Sequence, residues 1–535
     1  MDRAALFASI NRKLAANDIE GAIDEAEVAI ALGEAHPTLL NLCAHRLEAR
    51  GDFAGALQLL DRALALDPAD ATILSAIGHV WLKQAAPQNA LRAFAAAIGR
   101  DPGFAPAHHG AGLALWGLGD LAASRLAQER AAALDSRYPD PRGALALLAL
   151  HENRTEEAGE HARAALALQP DEPAATLTLA SLEHEAGRHE AVAAMLPAAL
   201  EHPQLAPLQR AALLRIHADS LDALGRYDAA FEAYAAGNAL QRRIFAPQHE
   251  GPGVESSTGL CERIGREFAR EPDAFGGAGT GVRPDVNHVF LLGFPRSGTT
   301  LLEQVLASHA GVDALEEKPT LTEEIADFFL AHDTLHPLAS LTPADQAARA
   351  QAYWSRIDGY GVETAGRTFV DKQPSLTQYL PMIAKLFPRA KIIVARRDPR
   401  DVVLSCFRRG FNMNRTIYDF TDLERLATYY AATMTLAESY MAALPLTFHV
   451  HSHEAMVADF DGAVGGLCGS LGISFDENMR NFVETAKGRE IRTPSARQVM
   501  QGMNASGVGY WRNYARHLAP VMPILEPWIQ RFGYA

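Results

Sequence analysis

The residues best equipped for chemistry lie in Gly293-Phe294-Pro295-Arg296-Ser297-Gly298-Thr299-Thr300, between an apolar run, His288 to Leu292, and a helical pattern beginning Leu301-Leu302-Glu303. Strand, glycine-bracketed loop and helix start, in that order, form the setting in which backbone N–H groups and the helix dipole cradle an anion. The spacing G-x-x-x-x-G is that of a phosphate loop, but Thr299 stands where an ATP-binding loop needs lysine to bridge the β- and γ-phosphates. Arg296 restores a positive charge at a different point, better suited to a single 5′ phospho-group than to a triphosphate. A phosphosulfate has that shape.

A second cationic segment, Arg397-Asp398-Pro399-Arg400-Asp401-Val402-Val403-Leu404-Ser405, follows the apolar run Lys391 to Arg396. An arginine at the C-terminal edge of a strand and a serine one to two turns into the next helix can both bond one phosphate. His449, His451 and His453 alternate on a predicted strand and could share a face as metal ligands, yet no cysteine or carboxylate pattern completes a set. No metal is expected.

The loop from Pro295 through Arg296, Ser297, Gly298 and Thr299 to Thr300 resembles the 5′-phosphosulfate-binding loop of sulfotransferases, and the segment headed by Arg397 is similar to their 3′-phosphate motif, which places Ser405 on the phosphate. Tyrosylprotein sulfotransferases and bacterial tetratricopeptide-sulfotransferase fusions are the nearest resemblance, spanning roughly residues 286 to 520. It implies 3′-phosphoadenosine 5′-phosphosulfate as donor, a hydroxyl as acceptor, and no metal. Glu317, in Glu316-Glu317-Lys318, is implied as the base that takes the acceptor proton, and Lys372, in Asp371-Lys372-Gln373-Pro374, as the cation on the sulfuryl and bridging oxygens. Arg296 joins them as a catalytic cation. Ser495 and Arg497, and Trp511 and Arg512, stand in segments that resemble those closing over the nucleotide, with Met500-Gln501 where the family carries basic residues. His453 falls where a family segment brings a Tyr-Glu pair to the nucleotide.

These residues need two kinds of scaffold. Pro68, Pro102 and Pro170 are spaced by 34 and 68 residues, and Asp67, Asp101, Asp135 and Gln169 keep their register. Gly51, Gly119 and Gly187 repeat at 68 with Ala85 and Asn153 midway, and a small or slim side chain follows each after five residues: Ala56, Ala90, Ser124, Ala158 and Val192. Such a period predicts stacked helix hairpins and resembles tetratricopeptide repeats over about residues 15 to 240. From residue 286, apolar runs at His288 to Leu292, Thr368 to Val370, Lys391 to Ala395 and Leu446 to Val450 alternate with helical segments, which predicts a parallel sheet. The expected fold is an all-α tetratricopeptide superhelix (1–245), a linker (246–285) and an α/β, P-loop-like sulfotransferase domain (286–535).

At 535 residues more than one domain is required. A net charge of −15 argues against a nucleic-acid partner. The four cysteines are widely spaced, without metal or disulfide patterns, as in a reducing cytoplasm, and neither a signal peptide nor a membrane span is legible. A kinase would need lysine at Thr299, and an inactive repeat scaffold would have lost Arg296, Lys372 or Arg397. The acceptor stays open between protein tyrosine, with the repeats holding the acceptor protein or peptide, and a glycan, lipid or small-molecule hydroxyl. Oligomeric state is not legible.

Overall fold

The computed structural model describes residues 3–16, 18–202, 205–277, 283–331, 334–487, 502–503 and 505–534. It divides into two compact units, Met1–Ser220 and Leu221–Ala535.

The first unit is all helix. Pairs such as Pro37–Ala49 with Phe53–Leu66, Ala71–Lys83 with Pro87–Arg100, and Ala105–Gly117 with Leu121–Leu134 are joined by three-residue turns, which force antiparallel neighbours. The middle residue of each turn is left-handed: Gly51, Ala85, Gly119, Asn153 and Gly187 have φ of 80°, 53°, 82°, 60° and 74°. The marker read from the sequence is thus the residue that reverses the chain. Ala56, Ala90, Ser124, Ala158 and Val192 are buried, as the close approach of paired helices requires. The aspartates in register close Asx turns: Asp67, Asp101 and Asp135 accept from the N–H groups of Ala69, Gly103 and Arg137 at 2.9–3.1 Å. The repeat architecture expected from the 34-residue period is what folds.

The second unit holds a five-stranded parallel sheet in the order β2-β3-β1-β4-β5, with β1 Asn287–Gly293, β2 Val312–Glu316, β3 Thr368–Lys372, β4 Lys391–Arg396 and β5 Thr447–Ser452. The central strand β1 is apolar on both faces, with Val289, Phe290, Leu291 and Leu292 fully buried, because helices cover both sides of a parallel sheet. Four strands coincide with the apolar runs of the sequence. The fifth, β2, is an edge strand of composition Val-Asp-Ala-Leu-Glu with a half-buried pattern, and it presented no apolar run to find. Helix Ser257–Arg270 buries Leu260, Ile264 and Phe268, and the Phe268 ring meets Tyr440 edge-on at 4.8 Å. All four cysteines are buried and unpaired. No helix among the described residues is long and apolar enough to cross a membrane.

Candidate active site

Strand order fixes where a ligand can sit. The connection after β1 runs to β2 on one side and the connection after β4 runs to β5 on the other, so the two diverge above the C-terminal ends of β1 and β4 and leave a crevice. The loop Gly293–Gly298 emerges there. A Cβ on Gly293 would lie 2.8 Å from the Ala395 carbonyl of β4, so only glycine lets the two strand ends approach. Gly298, at φ 93°, opens helix Thr299–Ala307, and a Cβ on it would meet His453 Nδ1 at 2.8 Å. Phe294 anchors the loop beneath, packing on Phe420, Tyr429 and Tyr430 at 5.0–5.9 Å.

Arg296 takes φ 72°, a conformation that costs a non-glycine residue about 1–3 kcal/mol and persists only where surroundings enforce it. Its Nε donates to Ser405 Oγ at 3.0 Å, joining the loop to helix Pro399–Arg408. Arg397 donates from Nη1 to the Arg296 carbonyl at 3.3 Å and from Nη2 to the Gly507 carbonyl, while its buried Nε has no partner among the described residues. Asp401 holds the turn beyond by accepting from the N–H groups of Gly509 and Trp511 at 2.7 and 2.8 Å. Burial lowers the Arg296 guanidinium to about 10, with the like charge of Arg409 the next cause and Arg397 and Arg408 adding to it. Arg408 is neutralised by Asp222. Arg409 has no ion pair among the described residues, which leaves a net cationic corner in a chain that is acidic overall. Sequence reasoning passed over Arg409, which stands just past the end of helix Pro399–Arg408 in extended backbone and gains its weight from its closeness to Arg296.

The opposite wall comes from the ends of β2 and β3. Glu317 has φ 43°, and its N–H donates to the Lys372 carbonyl at 3.0 Å. Lys372 is fully buried, its ammonium 2.7 Å from Glu317, 3.5 Å from Glu316 and 3.6 Å from Glu303. Glu317 keeps 44% of its side chain exposed, so the cavity meets the carboxylate and not the ammonium behind it.

His453 begins helix His453–Ala458, just past β5, and its buried Nδ1 has no partner among the described residues. Burial lowers it to about 3, with Arg397 and His451 adding repulsion, so the ring is neutral at physiological pH. His449 and His451 stay on the strand with ring centroids 6.1 Å apart, and no group of three or more His, Cys, Asp or Glu among the described residues is placed to hold a metal ion.

One cavity of about 400 Å³ gathers these groups: Pro295, Arg296, Gly298, Thr299, Thr300, Glu317, Arg397, His453 and Gly507 line it. Ser405 reaches it through Arg296, and Lys372 through Glu317. Ser297 is buried beneath the loop. Trp511 lies outside the lining, its ring stacked under the Arg400 guanidinium at 3.9 Å, and exposed Arg512 flanks it at 5.1 Å. Ser495 and Arg497 fall outside the described residues. Among the rest of the lining, Pro374, Ser375, Phe411, Asn412, Asn414, Thr416 and Ile417 were not anticipated. Their types are neutral and carry no distinguishing pattern in the sequence.

Residues 288–477 match the family model described as Sulfotransferase family. Over 252 residues, 45% of this chain, the sequence is 26% identical to an uncharacterized protein of Aquifex aeolicus (strain VF5), and the match spans 33% of that protein's length. Among solved structures, a thermophilic TPR protein of Thermus thermophilus is 23% identical, matched over 98% of its own chain and 36% of this one with a TM-score of 0.30. A tetratricopeptide repeat protein from Parabacteroides merdae is 15% identical over 92% of its chain and 44% of this one, with a TM-score of 0.34.

Proposed function

We propose that the protein transfers a sulfuryl group from 3′-phosphoadenosine 5′-phosphosulfate to a hydroxyl. The observation that carries this is one cavity bounded by a cationic corner, Arg296 and Arg397, and by a single carboxylate among its described lining residues, Glu317. The loop at the start of helix Thr299–Ala307 takes the 5′ phospho-group, and Arg397 with Ser405 takes the 3′-phosphate. Both sites suit hard oxyanions, because helix N-termini and guanidinium groups are strong charge-assisted donors.

In the step assigned here the acceptor oxygen bonds to sulfur, the bond from sulfur to the bridging phosphate oxygen breaks, and adenosine 3′,5′-bisphosphate leaves. Glu317 takes the acceptor proton. Arg296 meets the negative charge on the transferring and leaving oxygens, the Lys372 ammonium acts from behind Glu317 by holding its carboxylate toward the cavity, and holding both reactants in one cavity supplies orientation. Neutral His453 offers a ring nitrogen to the bound nucleotide or acceptor.

For the acceptor, the neutral lining residues Phe411, Asn412, Asn414, Thr416 and Ile417 favour a hydroxyl on a flat or apolar carrier, and a protein tyrosine is the first choice. A phenol of pKa about 10 gains from a carboxylate nearby. The repeats would hold another segment of that acceptor and raise its local concentration, an effect of linked binding. Calorimetry tests the donor half: adenosine 3′,5′-bisphosphate binds without added metal and ATP binds more weakly, whereas equal affinity for the two sinks the reading. Incubation of sulfur-labelled donor with a cell lysate tests the other half, since label entering glycan or lipid and not protein removes tyrosine.

A further inference from the structure

The turn Glu317-Lys318-Pro319-Thr320 is stitched to the end of β3 by three consecutive residues. The Glu317 N–H donates to the Lys372 carbonyl, the Gln373 side-chain amide donates to the Lys318 carbonyl, and Thr320 Oγ1 donates to Asp371 Oδ2 at 2.9 Å. Successive strand residues point to opposite faces, so Asp371 and Lys372 grip the turn from the two sides of the sheet. Lys372 holds the Glu317 carboxylate; Asp371 holds the far end of the turn.

Asp371 is expensive to keep. Both it and Thr320 are fully buried, its Oδ2 also accepts from Tyr353 at 3.1 Å, and its Oδ1 has no partner among the described residues. The Tyr353 hydroxyl in turn lies 2.9 Å from His288 Nε2, which immobilises the ring. The nearest cation, Lys372, is committed to glutamates on the opposite face. Burial raises the Asp371 carboxyl to about 7. A buried carboxylate fed only by two hydroxyls does less for stability than an apolar side chain of its size, so its use is sought in geometry.

We infer that Asp371 is a positioning residue: acting through Thr320, it locks the turn that holds Glu317 in its left-handed conformation facing the cavity. This rests on the reading of Glu317 as the base. The lock needs a hydroxyl at position 320, which gives a test by near-isosteric exchange in the full chain. Thr320→Val removes the donor and Thr320→Ser keeps it. Hydrogen exchange at the amides of residues 317, 318, 320 and 321 is expected to speed up about tenfold or more in Thr320→Val and to return toward the original rate in Thr320→Ser, with amides of β1 unaffected. Transfer of label from sulfur-labelled donor to p-nitrophenol is expected to fall roughly 10- to 100-fold in kcat in Thr320→Val, with affinity for adenosine 3′,5′-bisphosphate unchanged. Unchanged exchange in Thr320→Val overturns the lock. Faster exchange with full transfer leaves the lock standing and instead removes Glu317 from the chemistry, so the two failures are distinct.

Discussion

Four non-glycine residues among those described adopt left-handed backbone, two in each unit. Ala85 and Asn153 sit in the turns of helix hairpins, while Arg296 and Glu317 sit just past the C-terminal ends of β1 and β2. The first pair occupies positions where the neighbouring repeats use glycine, and a Cβ at the equivalent Gly51, Gly119 and Gly187 would meet nothing within 4 Å. The side chain there is incidental, and only the reversal of the chain matters. The second pair sends a charged side chain into the cavity, and each is fixed by bonds from a neighbouring strand end or helix: Arg296 by Ser405 and Arg397, Glu317 by Lys372. One backbone conformation thus serves reversal in one unit and the aiming of a functional group in the other, and substitution can tell the two uses apart.

The sharpest break would come at Glu317. Glu317→Gln keeps the size and the strain but removes the proton acceptor, so turnover at saturating donor should fall about 10²- to 10⁴-fold while bisphosphate affinity stays level. Near-normal turnover would make Glu317 no more than another turn residue. Next in size, Arg397→Ala should weaken bisphosphate binding by roughly 1.5–3 kcal/mol in calorimetry with the fold intact, since each lost contact is charge-assisted. Full affinity in that variant would leave the cationic corner without a ligand role.

A buried glutamate in the helical unit extends the contrast to pH. Glu172 caps helix Pro173–Glu185, accepting from the N–H groups of Ala174 and Ala175 at 3.1 and 2.6 Å, and only 3% of it is exposed. Burial raises its carboxyl from 4.5 to about 7, against the two backbone bonds that lower it. The folded state therefore binds the proton more tightly than the unfolded chain. Its contribution to stability is complete below about pH 4.5, declines as pH rises to about 7, and is constant above. Glu172→Gln has no such proton, so between pH 5 and 8 it should gain on the parent protein by about 2 kcal/mol in denaturant unfolding of the helical unit. A pH-independent difference between the two would show that Glu172 titrates normally.

The sequence disclosed the two units unequally. Repetition made the helical unit legible without any structure, because each turn marker recurs at a fixed interval and Ala85 and Asn153 were identifiable only by falling on it. In the second unit, β1, β3, β4 and β5 announced themselves through apolar runs, and the loop around Arg296 and the segment from Arg397 to Ser405 were visible as local patterns. What stayed hidden is set by contacts distant in sequence. The edge strand β2 is half-buried, with only Val312 and Leu315 protected, on opposite faces, Arg409 matters through its closeness to Arg296, and the neutral lining residues Phe411, Asn412, Asn414, Thr416 and Ile417 come from a loop and the start of helix Arg415–Phe420. The hydrogen bond from Arg296 to Ser405 joins two motifs 109 residues apart that composition alone presents as separate.

The smallest effect tests the incidental half of the comparison. Ala85 at φ 53° bears the steric cost of a Cβ in the left-handed region, about 1–2 kcal/mol. Glycine removes that cost but gives the unfolded chain more conformations to lose, which takes back about 0.4–1 kcal/mol. The balance for Ala85→Gly is a stabilisation of up to about 1 kcal/mol. Asparagine tolerates the left-handed region better than alanine, because its short polar side chain bonds locally, so Asn153→Gly should fall near zero. The expected order is Ala85→Gly above Asn153→Gly, and native-state hydrogen exchange of helices Ala71–Lys83 and Pro87–Arg100 reads the first locally without requiring two-state unfolding of the whole chain. If Ala85→Gly slowed neither exchange nor unfolding while destabilising its hairpin, the Ala85 methyl would be a packing group. The left-handed residues of the repeats would then no longer be interchangeable turn markers, and the contrast with Arg296 and Glu317 would narrow to one of charge alone.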